Sequence, residues 1–192
     1  MPEVPIPDQS LADDVVALRL WRTTDIHQRL LGYADPEYQR FSLTSTEPVT
    51  EARVRDHFER EHRERMCGER LSLAIVDATD LDQVLGGCSV YDIDLDQQRA
   101  GVGYWLAPHA RGRGAATRTV RLLARWAFDV LAIARLELTC APDNIASQRV
   151  AERSGFIREG IMRSHMRSQD GRRDSMLFSL LPGELRESGR TE

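Results

Sequence analysis

The chain has 192 residues, enough for one substantial core and too few for two ordinary domains. Its 26 basic residues are all arginine, against 30 acidic residues, for a formal net charge of -4. The absence of lysine excludes Schiff-base chemistry, the usual pyridoxal-phosphate enzymes and a P-loop lysine on a γ-phosphate; codon bias toward arginine is its simplest origin.

Hydrophobic residues make up 41% and charged residues 29%, which fits a folded chain rather than a disordered one. No apolar run is long enough for a membrane helix, and MPEVPIPDQS lacks the basic start and apolar stretch of a signal peptide. Cys67, Cys88 and Cys140 are odd in number and have no CxxC spacing, so reduced thiols in a cytoplasm are expected, with neither disulfide nor metal. Mild acidity argues against a nucleic-acid partner.

In chain order, residues 1–12 hold Pro2, Pro5 and Pro7 with little apolar pattern and read as a loose arm. Val15 to Trp21 sets Leu18 and Leu20 against Arg19, a strand. Thr23, Thr24 and Asp25 supply caps for a helix to about Ala34, which Asp35-Pro36 breaks. After a loop, Thr50 opens a helix that runs to about Cys67 and closes at Gly68. Its Arg53, Arg55, Arg60, Arg63 and Arg65 are interleaved with Glu51, Asp56, Glu59, Glu61 and Glu64, the pattern of a solvated face.

The period then changes to two. Leu71 to Val76 and Val84 to Ile93 predict a hairpin, and Gly101 to Leu106 a third strand. An amphipathic helix follows from about Ala115 to Leu131, with Val120, Leu123 and Ala127 on one side and Arg118, Arg121 and Arg125 on another. Arg135 to Cys140 reads as a strand, Ile145 to Ser154 as a helix stopped by Gly155, and Phe156 onward and Arg172 to Leu180 as the last strands. The expectation is one α+β domain over residues 13–183 with a polar tail at 184–192.

Chemistry concentrates in GYWLAPHARGRGAA, Gly103 to Ala116. A strand ends, glycines open the backbone and a helix starts at once. Such a turn aims free N–H groups and the positive end of a helix dipole at one spot, and phosphate is the natural occupant. A plain glycine-rich turn is the structural alternative. A Walker loop fails here because Ala115-Ala116-Thr117 follows without lysine. A dinucleotide fingerprint fails because the next glycine after Gly114 is Gly155.

The segment resembles the pyrophosphate loop of the GNAT superfamily of acyl-CoA-dependent N-acyltransferases, Arg/Gln-x-x-Gly-x-Gly/Ala, with Arg111, Gly114 and Ala116 on the pattern. Gly103-Tyr104-Trp105-Leu106 is similar to the corresponding strand of the RimJ/RimL type, the ribosomal-protein N-acetyltransferases and their relatives. Asn144, Ser147, Val150 and Gly155-Phe156 resemble that subgroup's downstream motif. The likeness runs from Leu18 to about Leu181. It implies the GNAT fold, a mixed, mostly antiparallel, splayed sheet with helices on both faces, and CoA in the V between the strands ending near Leu106 and Cys140.

By the same resemblance, backbone groups of Leu106 and Ala107 pair with the pantetheine amides. Backbone N–H groups of Arg111, Gly112, Arg113, Gly114, Ala115 and Ala116 hold the pyrophosphate, and the Leu106 N–H forms a small oxyanion hole for the thioester carbonyl. Ser147 is implied as the acid that protonates the CoA thiolate, and Asn144 as a further cofactor contact. Their structural alternatives are a first-turn hydroxyl and a helix cap.

The activity implied is acetyl-CoA-dependent N-acetyltransfer, in which a neutral primary amine, a peptide α-amine or a small-molecule amine, attacks the thioester directly. Alternatives on the same fold are another acyl donor such as succinyl-CoA, or a non-catalytic acyl-CoA-binding module. Relatives are commonly homodimers, so a second copy is an expected partner, whereas membrane is not.

The chain departs from the family at Gly101, where many relatives carry Glu. Asp92, Asp94, Asp96, His109 and His165 are the remaining candidates for a base, each equally readable as a loop or surface residue. A site without a strong base suits a weakly basic acceptor. At pH 7 an α-amine costs about 1 kcal/mol to neutralise and a lysine amine about 4.6 kcal/mol. Cys88 and Cys140 lie in apolar strand sequence and read as buried, inert thiols. Tyr104 and Trp105 read first as core. Arg149, Arg153 and the arginines of the long helix are solvated face or contacts for the CoA 3′-phosphate. The loops at 40–48 and 162–173, with His165, Asp170 and Arg172, are expected to shape the acceptor site.

Overall fold

Leu71, Leu73 and Ile75 alternate with Arg70, Ser72 and Ala74, so one face of their strand goes to the main core and the other to a second layer. The whole sheet is built on that division. The structure, a computed structural model, describes residues 2–7, 11–41, 48–168 and 171–186. Its strands are β1 (Val16–Leu20), β2 (Arg70–Asp77), β3 (Val84–Asp94), β4 (Arg99–Leu106), β5 (Arg135–Cys140), β6 (Ile157–Ser168) and β7 (Gly171–Leu180). They form one sheet in the order β1-β2-β3-β4-β5-β7-β6. Only β4 and β5 run parallel. The α+β class and the mixed, mostly antiparallel sheet are as expected.

The parallel pairing sets up the site. It lasts from Arg99↔Arg135 to Gly101↔Glu137 and then stops. Beyond it the strands diverge toward Leu106 and Cys140 and leave a V.

Helices α4 (Ala115–Asp129) and α5 (Ile145–Ser154) cover one face, where Val120, Leu123 and Ala127 join Leu71, Leu73 and Val90 in the main core. Helices α1 (Ile26–Ala34) and α3 (Glu51–Met66) cover the other, where Ile26, Tyr33 and Val54 pack with Trp105.

Three expectations change. The segment after Asp35-Pro36 is not all loop, because Pro36–Phe41 forms α2. Proline suits a first helical turn, and the Asp35 carboxylate accepts from the Tyr38 N–H at 2.9 Å. The arm is anchored: Val4 and Leu11 are buried in the main core, and the Val4 N–H donates to Arg65 O at 2.9 Å. The face of α3 is only partly solvated. Its pairs Glu51–Arg55 and Arg60–Glu64 are present, yet Val54 is buried and the helix packs on the sheet. Residues 42–47, Asp170 and residues 187–192 lie outside the described residues, so the readings of the 40–48 loop, of Asp170 and of the end of the tail are only partly covered. No helix among the described residues is long and apolar enough to cross a membrane.

Candidate active site

The end of β4 is fixed on both sides. The Ala107 N–H donates to Leu85 O at 2.8 Å, so odd-numbered β4 residues bond toward β3 and even-numbered ones face β5. With the β4–β5 pairing ended, the backbone of Tyr104 and Leu106 looks into the V. Leu106 therefore presents its N–H to the gap. Its carbonyl accepts from the Arg111 guanidinium at 3.0 and 3.2 Å. The Ala107 N–H serves β3, and its carbonyl accepts from the Ala110 N–H at 2.9 Å, which leaves that oxygen one further lone pair. Any pairing of Ala107 with a bound arm is thereby limited to its carbonyl, and a short 3-10 turn at Pro108–Ala110 follows the strand.

Arg111 points away from the loop it begins. Its guanidinium pairs with Asp35, in a very close contact, and with Glu37 at 3.1 Å, tying the α1–α2 junction to the end of β4. After it, Gly112 and Gly114 adopt φ of +74° and +81°, and a Cβ at either would meet nothing within 4 Å. Glycine is needed there for the dihedral alone. The N–H groups of residues 112–117 have no partner among the described residues, and no side chain caps α4. Unserved donors at the start of a 15-residue helix make a receptor for an anion. Arg113 contributes its place in the turn but does not line the cleft.

The opposite wall is α5. Asn144 is the helix cap, its Oδ1 accepting from the Ser147 N–H at 3.0 Å. The Ser147 hydroxyl is not a cap: it accepts from the Tyr104 hydroxyl at 3.2 Å and lies against Cys140. Burial pushes the Tyr104 phenol up to about 12 and raises both the Cys140 and Cys88 thiols, so all three are protonated at neutral pH. That agrees with inert cysteines. Arg149 and Arg153 line the same wall, whereas Arg118 is taken by Asp13 and Asp14.

The V is one half of a cleft of about 860 Å³ that continues from the β4–β5 gap to the α1–α3 side. There Ser72, Ser89 and Gly103 are register partners across β2, β3 and β4 and form a small polar floor. Trp21, Tyr33, Tyr38 and Trp105 pack into a continuous aromatic wall, partly stacked and partly edge-to-face, with centroid separations of 4.7 to 6.3 Å. Arg29, nearly fully buried, lies 4.3 Å over Trp21 and is held bidentately by Glu61 at 2.5 and 2.9 Å. His57, Arg60 and Arg70 complete this half.

The second half is not among the expectations from sequence. The signal existed: Val54, His57, Phe58 and Glu61 share one stripe of α3, and Arg29 sits on the apolar stripe of α1 between Ile26 and Tyr33. None of Asp92, Asp94, Asp96, His109 and His165 lines the cleft; His165 Nδ1 lies 3.1 Å from Ser175 Oγ on β7. Among the described residues no cluster of His, Cys, Asp or Glu could hold a metal ion.

Residues 16–157 match the model of an acetyltransferase (GNAT) domain. The chain is 27% identical over 177 residues to the uncharacterized N-acetyltransferase p20 of Bacillus licheniformis, covering 92% of this chain and 98% of that one. It is 29% identical over 98 residues to the ribosomal-protein-serine acetyltransferase of Escherichia coli, covering 51% and 55%. Among solved structures, Mycobacterium smegmatis RimJ in complex with CoA-disulfide superposes with a TM-score of 0.80 at 24% identity, over 90% of this chain and 85% of that one. That likeness is one of fold.

Proposed function

Because the chain belongs to the GNAT acetyltransferase family, we propose that it transfers an acetyl group from acetyl-CoA to a primary amine by direct attack on the thioester. The observation that carries this reading is the V between β4 and β5 with unserved N–H groups at its mouth. The residues fit the cosubstrate. The anion receptor at residues 112–117 suits a pyrophosphate, the open strand edge at Tyr104 and Leu106 suits an extended amide-bearing arm, and the Leu106 N–H suits a developing oxyanion. Ser147, half-buried with its hydroxyl served by Tyr104, would protonate the leaving thiolate. Asn144 retains its amide N–H₂ for the cosubstrate while its oxygen caps α5. The whole of residues 13–183 acts as one catalytic domain in this reading.

The acceptor enters from the α1–α3 side, over Ser72 and Ser89. The resemblance to ribosomal-protein acetyltransferases favours a peptide α-amine, and the low cost of neutralising such an amine agrees with it. The experiment is thiol release from acetyl-CoA with a panel of serine- and alanine-initiated pentapeptides, free amino acids and polyamines. Turnover with an α-amine is expected. CoA binding without turnover on any amine would favour a non-catalytic module, and faster reaction with succinyl-CoA would reassign the donor.

A further inference from the structure

An ammonium group has no lone pair, so an acceptor amine must lose a proton before it can attack. The group that takes the proton has to face the cleft with a free lone pair. Both cleft carboxylates are tied up: Glu61 by Arg29 at 2.5 and 2.9 Å, and Glu37 by Arg111 at 3.1 Å. The phenols of Tyr33, Tyr91 and Tyr104 and the thiols of Cys88 and Cys140 are all pushed up by burial and hold their protons.

His57 alone meets the requirement among the described residues of the cleft. It sits one helical turn before Glu61 on α3, with its ring 5.7 Å from that of Tyr33. Tyr33 lies 5.5 Å from Trp105, the residue before Leu106. No hydrogen bond among the described residues reaches either imidazole nitrogen. Facing it are Arg53, Arg60 and Glu61 from its own helix, and Arg29 and Tyr33 from α1 with Tyr38 of α2 stacked on Tyr33. Burial, then the nearby Arg60, Arg29 and Arg53, lower its pKa from the ordinary value, with Glu61 opposing. Those groups favour the neutral imidazole, which has a lone pair to give.

We propose that His57 is the proton acceptor for the incoming amine, directly or across one water. The proposal rests on the acyl-transfer reading above. In the step an ammonium N–H bond breaks, its electron pair stays on nitrogen, and the proton passes to the imidazole and then to solvent. The neutral amine attacks the thioester carbon, and collapse expels the thiolate. The thiolate takes up a proton through Ser147 as the amide nitrogen loses its second one, so the products are amide, CoA thiol and one released proton.

The test compares wild type, His57→Gln and His57→Ala with acetyl-CoA and the fastest amine of the panel, from about pH 6 to about pH 10. At pH 7 the variants should lose about 10²-fold in kcat/KM with the KM for acetyl-CoA unchanged. The deficit should shrink as the pH passes the amine's own pKa, and added imidazole should restore His57→Ala. By NMR, the wild-type His57 ring should be neutral at pH 7. A deficit of equal size at every pH, no deficit, or a protonated ring at pH 7 overturns the assignment and leaves acyl transfer standing. A wild type that releases no thiol with any amine overturns both.

Discussion

A Cβ placed on Gly101 would stand 2.5 Å from the ring of Tyr91 on the neighbouring strand. The two are register partners across β3 and β4, and the half-buried Tyr91 ring fills the space that a side chain at 101 would need. A glutamate, which the family resemblance leads one to expect at this point, therefore has no room beside the Tyr91 ring. Gly101→Glu should destabilise the protein by about 2 kcal/mol through overpacking. Combined with Tyr91→Ala it should cost at least about 1 kcal/mol less than the two single changes together, read from urea midpoints. Simple additivity would mean that the ring does not exclude the side chain.

Ser147→Ala should lower kcat by about 10²-fold while the KM for acetyl-CoA moves little, because the hydroxyl is not needed to cap α5. Equal losses in both parameters would make Ser147 a binding residue instead.

Gly114→Ala tests the anion receptor. The left-handed φ of +81° costs an alanine about 1 kcal/mol, and no neighbour crowds the new methyl. The expected result is a several-fold rise in the KM for acetyl-CoA with a modest fall in Tm. A fall in Tm with an unchanged KM would remove this turn from the binding site.

Breaking the Arg29–Glu61 pair leaves a nearly fully buried guanidinium without its carboxylate. Glu61→Gln should lower stability by about 3 kcal/mol, measured by chemical denaturation. An effect near zero would mean that water reaches Arg29 in solution.

Acid sensitivity should come in part from Glu159, whose carboxyl is held down to about 2 by Arg135 and then by the Ser179 hydroxyl. A depressed folded pKa stabilises the protein above the unfolded value of 4.5, and the contribution disappears as pH falls from there toward 2. With the pair more than a third exposed at Glu159, its worth is about 1 kcal/mol. Glu159→Gln should therefore flatten the loss of stability below pH 4.5, and a slope identical to wild type would count against the pair.

Periodicity and local motifs in the sequence determined most of the strand and helix pattern and the glycine turn ahead of α4, since alternation, caps and the Gly112–Gly114 spacing act over a few residues. The lack of lysine excludes a lysine on a phosphate, and the N–H groups of residues 112–117 have no partner among the described residues. Only the tertiary structure decided that β4 and β5 part after Gly101, that the Ala107 N–H is committed to β3, and that Arg111 turns to Asp35 and Glu37. It alone brought His57, Arg29 and Glu61 from two helices over Ser72 and Ser89 from two strands. On the sequence the charges of α3 look like a solvated face. Whether a charged side chain meets water or a cleft depends on what packs opposite, and that partner lies tens of residues away.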